Sequence, residues 1–243
     1  MTDSLVTRKW LFGINALSAW IGLGMSVVIE IFGLVKPLAV DPPVPTSQFA
    51  YLGHYAEGLA GAPARLIDLF SYFTIWSQIV VGIVATLLFL NPMRDGGRLR
   101  VYRLDSLVMI TVTGIVYNLL LGPNYPPQGL NVYSSFFEHT LTPILTILVF
   151  IVAGPRRWFS RQTFLLALGL PIAYAIYTLI RGAIIGMYPY DFIDVVKYGY
   201  GPVLQFVAVI ILAATAIMGL FWAIDELISR KSSNQDSKQD ALV

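Results

Sequence analysis

Two residues with catalytic chemistry, Thr74 and His139, lie inside long apolar stretches of this 243-residue chain. A threonine hydroxyl can act as a nucleophile when a neighbouring base takes its proton, and a neutral imidazole is such a base. Polar groups are costly within a membrane, so those that occur there are candidates for function. The chain has no cysteine and two histidines, which excludes thiol catalysis and a histidine-rich metal cage.

Further polar residues recur at helical spacing around this pair and predict polar stripes on four helices. The second predicted helix carries Ser71, Thr74 and Gln78 at positions i, i+3 and i+7. The other stripes are Ser135, His139, Thr142 and Thr146 on the fourth helix, Tyr174, Thr178 and Arg181 on the fifth, and Tyr117 with Asn118 on the third. Taken singly, most of these side chains are equally explained by hydrogen bonds within or between membrane helices.

The elements that must carry these residues are six apolar segments. The chain is 56% hydrophobic and 12% charged, whereas soluble domains carry about a quarter charged residues. A helix needs about 20 apolar residues to cross a bilayer core ~30 Å thick. The segments span residues 10–35, 66–90, 101–121, 132–153, 164–185 and 202–223. We therefore predict an all-α integral membrane protein, with one six-helix domain at 1–228 and a disordered polar tail at 229–243.

The basic residues predict the orientation of this bundle. They cluster before the first segment, in the second-to-third and fourth-to-fifth connections, and after the sixth segment, at Arg8, Lys9, Arg94, Arg98, Arg100, Arg103, Arg156, Arg157, Arg161, Arg230 and Lys231. The third-to-fourth loop has no Lys or Arg. The positive-inside rule then places both termini and all the Arg-rich connections in the cytoplasm. The net charge of +2 is too small to indicate a nucleic-acid partner.

This topology brings the polar residues to a similar depth. Thr74 lies ~12 Å along the second helix and His139 ~10 Å along the fourth, at 1.5 Å per residue, and both helices enter from the outside. Asn118 and Arg181 lie near the outward ends of their helices. We therefore predict a bundle with an outward-facing polar pocket.

Four short motifs resemble those of a known membrane-protein family. They are FSYFTIWSQ at 70–78, HTLTP at 139–143, IRG at 180–182 and YPYDFID at 188–194. In this order they resemble the six-helix family related to the androgen-induced-gene and androgen-dependent TFPI-regulating proteins, and most closely its bacterial branch. The chain departs from that branch at Gln78, where Asn is usual. The animal members of the family are similar to threonine hydrolases of fatty acid esters of hydroxy fatty acids.

The resemblance implies a hydrolase of fatty-acyl esters in a bacterial inner membrane, with Thr74 as nucleophile and His139 as base and without a cofactor. Its partners would be membrane lipids or an acyl-ester substrate. Candidates for the oxyanion donors and the pocket are Asn118, Gln78, Ser71, Arg181, Tyr188, Tyr190, Asp191 and Asp194. An acid that orients His139 could come from Asp68, Asp191 or Asp194, whereas Glu138 should point about 100° away around the helix.

Three other functions fit parts of the pattern. A channel, carrier or lipid-binding protein would use the same pocket without catalysis. An intramembrane serine protease is disfavoured because the chain has no Gly-x-Ser-Gly motif; the sequence at 24–27 is Gly-Met-Ser-Val. A metal hydrolase would need His139, His54 and carboxylates together.

Overall fold

The structure, a computed structural model, describes residues 3–35 and 55–240, with side chains as far as residue 230. Every regular element within these ranges is helical. The α-helices are α1 (Asp3–Phe32), α2 (Ala62–Leu69), α3 (Phe73–Leu90), α4 (Gly97–Val116), α5 (Asn131–Phe136), α6 (Thr142–Ala153), α7 (Arg161–Ala167), α8 (Gly169–Ile185), α9 (Val195–Tyr198) and α10 (Tyr200–Asp240). Two π turns, Tyr117–Leu121 and Phe137–Leu141, follow α4 and join α5 to α6.

Six of the resulting segments are long and apolar enough to cross a membrane. They are Ser4–Phe32, Phe73–Leu90, Gly97–Leu121, Asn131–Ala153, Arg161–Ile185 and Tyr200–Arg230. For the described residues, the prediction of an all-α chain with six helices long and apolar enough to cross a membrane is therefore confirmed, as expected for a multi-pass membrane protein.

The Arg-rich connections meet at one end of the bundle. Lys9, near the start of α1, places its Nζ 5.3 Å from the ring centroid of Phe89, near the end of α3. Arg156, which follows α6, places its Nη1 4.0 Å from Oδ1 of Asp225 in α10. We call this end, with the α3–α4 and α6–α7 connections, the basic end. Thr74, at the start of α3, lies toward the opposite end.

The second apolar segment is interrupted, although the sequence predicted one helix over 66–90. Between α2 and α3 the backbone of Tyr72 is extended, with φ −83° and ψ 137°. The Ser71 hydroxyl donates to the Asp68 carbonyl at 2.6 Å, a local bond of the kind by which serine competes with helix formation. Ser71 therefore does not share a helical stripe with Thr74, and that prediction was wrong.

Side chains satisfy the carbonyls that this interruption exposes. The Trp76 indole donates to the Phe70 carbonyl at 2.9 Å, and the Tyr174 hydroxyl donates to the Ser71 carbonyl at 2.9 Å. Such donors are needed because the membrane interior offers no water to pair with the backbone.

The last helix is longer than predicted. Residues 229–240, expected to belong to a disordered tail, continue α10 to Asp240. No glycine or proline follows Gly219, so the backbone contains no residue that opposes helix propagation there. Glu226 and Arg230 also form an i, i+4 ion pair at 3.7 Å. Residues 241–243 lie outside the described ranges.

The first three spans form the packed centre of the bundle. They are 50, 50 and 61% buried, against 22 and 17% for the last two spans. α1 and α3 approach closely where the Trp20 ring lies over Gly82, and α1 meets α6 through a 2.7 Å hydrogen bond between Ser18 and Thr142. The last two spans are therefore peripheral, which leaves space between them and the centre.

Gly82→Ala should lower the thermal unfolding temperature of the purified protein in detergent. A Cβ atom at this position would lie 2.7 Å from the Trp20 ring, so either the ring would have to shift or the two helices would have to separate. Overpacking of this kind costs about 1–3 kcal/mol. Gly24→Ala in α1 is the matched control, because a Cβ there meets no described atom within 4 Å. Equal unfolding temperatures for the two variants would contradict the close packing of α1 on α3.

Candidate active site

Thr74 and His139 are brought together by the fold. The Thr74 Oγ1 lies 3.2 Å from the His139 Nε2, and both side chains are half-buried. Thr74 belongs to the first turn of α3, and His139 to the π turn between α5 and α6. π turns are rare and occur often at functional sites. A hydroxyl at this distance from a ring nitrogen is within reach for proton transfer.

The partners of His139 Nδ1 define which ring nitrogen is basic. Nδ1 lies 3.1 Å from the Ser135 carbonyl oxygen and 3.1 Å from its Oγ. Since the Ser135 hydroxyl donates to the Tyr117 hydroxyl at 2.7 Å, its own oxygen is left as an acceptor. Nδ1 therefore carries the proton, and Nε2 is the acceptor that faces Thr74. The Tyr117 ring stacks on the imidazole at 3.7 Å and holds its plane.

The acids proposed to orient His139 are engaged elsewhere, so that prediction was wrong for the described residues. Asp68 forms an ion pair with Arg181, and its pKa is raised by burial and lowered by that guanidinium. Asp191 accepts from Lys197 at 2.7 Å and from the Tyr198 hydroxyl at 2.8 Å.

The two remaining acids near the site also have local partners. Asp194 caps α9 by accepting the backbone N–H groups of Val196 and Lys197. Glu138 turns toward α1, as its helical position predicted, and accepts from the Ser26 hydroxyl at 2.7 Å. Among the described residues, the base is thus oriented by a backbone carbonyl and a serine and not by a carboxylate.

Pro143 explains why two amide side chains surround the histidine turn. Proline has no N–H, so one carbonyl in the preceding turn loses its usual backbone donor. The π turn, in which the Thr142 N–H bonds to the Phe137 carbonyl, leaves a second carbonyl without one. The Gln78 amide donates to the Glu138 carbonyl at 3.1 Å, and the Asn118 amide donates to the His139 carbonyl at 2.8 Å. Both had been candidate oxyanion donors. The structure uses their N–H groups to position the turn that carries His139.

The α4–α6 contact brings Asn118 to this turn. A Cβ on Gly114 would lie 3.1 Å from the Pro143 ring, so a larger residue would push α6 away. The Asn118 amide nitrogen donates a second hydrogen bond, to the Gly114 carbonyl at 2.8 Å, so both of its N–H groups are used. Glycine, asparagine and proline thus form one joint between two helices.

The tyrosines of the 188–194 motif have different positions. Tyr188 is buried against Gly182, where an added Cβ would lie 2.0 Å from its ring. Tyr190 accepts the Phe73 backbone N–H at 2.9 Å and lies beside Thr74. Burial raises the pKa of Tyr190 to about 12, so its hydroxyl keeps its proton and can donate it.

A cleft opens from Thr74 between α3, α4, α8 and α10. It encloses about 880 Å³, counting the space at its mouth. Thr74 and Tyr190 lie at one end, and the walls beyond them are mostly apolar, including Val112, Ala175 and Ile211. The sequence predicted a polar pocket; the structure has an apolar cleft whose polar groups gather mainly around Thr74.

Ser135 and Tyr117 were visible in the sequence as polar residues, but their roles beside His139 were missed. The i, i+4 spacing of Ser135 and His139 was the available signal. In the described part of the chain, no three His, Cys, Asp or Glu side chains are grouped so that they could hold a metal ion. His54 lies outside that part.

Asn118→Leu should lower the free energy of unfolding by about 1–2 kcal/mol, because the carbonyls of Gly114 and His139 both lose a donor. Equilibrium unfolding in mixed detergent micelles measures this difference. Thr111→Val on the same helix is the control, since its hydroxyl bonds only to the Leu107 carbonyl of its own helix in the described contacts. If the free energy of unfolding falls no more than in the Thr111→Val control, the two hydrogen bonds of Asn118 do not stabilise the fold.

Comparisons with known proteins found no family model, no curated protein and no solved structure that matches this chain. The family resemblance therefore rests on the four motifs alone.

Proposed function

We propose that this protein is a membrane-embedded hydrolase of lipid esters, in which Thr74 is the nucleophile and His139 the general base. The 3.2 Å contact between the Thr74 Oγ1 and the unprotonated Nε2 of His139 carries the proposal. The other ring nitrogen is held by Ser135, which is the arrangement of nucleophile, base and orienting group that covalent catalysis requires.

The first half of the reaction transfers the acyl group to the enzyme. His139 Nε2 takes the proton of Thr74 as Oγ1 attacks the ester carbonyl carbon, giving a tetrahedral oxyanion. The oxyanion then collapses and the ester C–O bond breaks. The proton on Nε2 passes to the departing alkoxide oxygen, so an alcohol leaves and an acyl-Thr74 ester remains.

The oxyanion needs preorganised hydrogen-bond donors. Gln78 and Asn118 donate to backbone carbonyls, and Arg181 is paired with Asp68. We therefore assign the oxyanion to Tyr190 and the start of α3. The Tyr190 hydroxyl accepts from the Phe73 N–H and also contacts the Thr74 side chain, so it lies next to the developing negative charge. The amino end of α3 adds the positive pole of an 18-residue helix.

Hydrolysis of the acyl-enzyme completes the cycle. His139 Nε2 takes a proton from water, whose oxygen attacks the acyl carbonyl carbon. The bond to Thr74 Oγ1 then breaks, and the proton returns to that oxygen while the fatty acid leaves. A base without a carboxylate partner is less basic in the transition state than that of a Ser-His-Asp enzyme, so we expect slow turnover.

The apolar cleft supports a fatty-acyl substrate. Its wall along α4 and the following π turn extends from Val108 to Leu121, or ~20 Å at 1.5 Å per residue. An acyl chain lying there would place its ester beside Thr74. We also propose that the basic end is cytoplasmic, with both termini, and that the site faces the outer leaflet of a bacterial inner membrane.

A lipid-binding or carrier protein is the second candidate, because His139 lacks a carboxylate partner among the described residues. In that case the cleft would hold an acyl chain, but the ester would remain intact. Turnover separates the two functions.

Thr74→Ala and His139→Ala should each reduce hydrolysis of a fluorogenic fatty-acyl ester by about 10³-fold or more, because each removes one member of the reacting pair. Thr215→Ala is the matched control, since that hydroxyl bonds the Ile211 carbonyl of its own helix, away from the site. A fluorophosphonate probe should label the wild type and not Thr74→Ala. Equal rates in all four proteins would refute the hydrolase.

Tyr190→Phe should lower kcat by about 10²-fold while leaving KM nearly unchanged, because the lost hydroxyl acts on the oxyanion and not on the bound ester. Steady-state kinetics with the same ester measures both constants. Tyr133→Phe is the control, as Tyr133 is 61% exposed. An unchanged kcat would remove Tyr190 from the mechanism without affecting the assignment of Thr74.

A further inference from the structure

Arg103 is buried at the basic end of the bundle without a visible counter-charge. Its side chain is 1% exposed, and its Nε and Nη2 atoms have no hydrogen-bond partner in the described part of the chain. The guanidinium carbon lies 5.3 Å from the Phe12 ring centroid and 6.0 Å from that of Phe150. Two aromatic rings attract a cation, but they do not satisfy its N–H donors.

Two further cations surround the same place. Arg156 lies 5.6 Å from the Phe150 ring centroid, and Arg8 is close enough to Arg103 to repel it, as Arg156 is. The Arg8 Nε is also buried without a partner among the described atoms. Three guanidinium groups from α1, α4 and the α6–α7 connection therefore converge.

The acids of the described residues neutralise this cluster only in part, through Asp225. Asp225 faces Arg156 at 4.0 Å and also accepts the backbone N–H groups of Arg157 and Trp158. Arg156 further donates to two carbonyls at the end of α6. Asp105 lies two residues beyond Arg103, so it points to another side of α4, and the two form no ion pair.

A buried charge is normally retained only when it is paired. The N–H groups of Arg8 and Arg103 that lack a partner among the described residues suit an anion. The planar fork of a guanidinium suits phosphate oxygens in particular. Arg103 lies six residues after the start of α4, or ~9 Å at 1.5 Å per residue, near the level of lipid headgroups.

We propose that Arg8, Arg103 and Arg156 form a phosphate-binding site at the basic end. The bound group is the phosphate of an anionic phospholipid headgroup or free inorganic phosphate, which present the same oxygens. Arg103 and Asn118 are 15 residues apart along the same span, or ~22 Å. The site is therefore separate from Thr74 and independent of the hydrolase proposal.

The test is the thermal unfolding temperature of the purified full-length protein in an uncharged detergent. Short-chain phosphatidylglycerol, the matched uncharged diacylglycerol and inorganic phosphate are titrated separately, with sodium chloride at equal ionic strength. A rise with phosphatidylglycerol alone supports a headgroup site, and a rise with both phosphate-bearing ligands supports a site open to solution. No rise beyond that seen with diacylglycerol and chloride overturns the proposal.

Arg103→Met should raise the ligand concentration at the midpoint of this titration at least about tenfold, since it removes the most buried donor. Without ligand its unfolding temperature should equal or exceed that of the wild type, because an unpaired buried charge has been removed. Arg100→Gln is the control at the same end, as Arg100 is paired with Asp95 at 2.5 Å. If Arg103→Met does not fold, Arg8→Gln should also raise the ligand concentration at the midpoint. A wild-type midpoint for Arg103→Met, or for Arg8→Gln in its place, overturns the proposed site.

Discussion

A proline inside a membrane helix leaves carbonyl groups that neither its own backbone nor water can satisfy. Near Pro143 these carbonyls belong to Glu138 and His139. They accept hydrogen bonds from side-chain amides of two other spans, Gln78 and Asn118. These bonds hold the π turn in the register that turns His139 toward α3. Much of the site depends on these unpaired carbonyls. A regular helix here would have needed no such contacts, and it would have placed the His139 ring at a different position around the helix.

The chemistry at this turn differs from that of enzymes with an acid behind the histidine. Ser135 holds the imidazole through oxygens that carry no full charge, and Tyr117 holds it by stacking. A neutral partner suits a low-dielectric setting, since a carboxylate placed there would itself need compensation. In the proposed reaction, the amino end of α3 and the Tyr190 hydroxyl would stabilise the oxyanion, not the imidazolium.

Sequence periodicity predicted the six helices well, because each span must be long and apolar to cross a bilayer. It also predicted that Thr74 and His139 would lie at a similar depth, because both of their helices enter the membrane from the same side. The break before α3 was hidden, because residues 70–73 contain neither glycine nor proline and are as apolar as a helix requires. The acids were misassigned since loop carboxylates such as Asp191 found partners a few residues away, which spacing alone does not reveal.

The bond from Trp76 to the Phe70 carbonyl has a consequence for Thr74 itself. Three threonines within the helices of this protein donate their hydroxyl to the carbonyl four residues earlier: Thr111, Thr146 and Thr215. For Thr74 that carbonyl belongs to Phe70, which precedes the break and is already taken by the Trp76 indole. The Thr74 hydroxyl therefore does not form the bond to the carbonyl four residues earlier that these three threonines form. The interrupted backbone thus leaves the Thr74 hydroxyl to bond to the His139 Nε2 and not to its own helix.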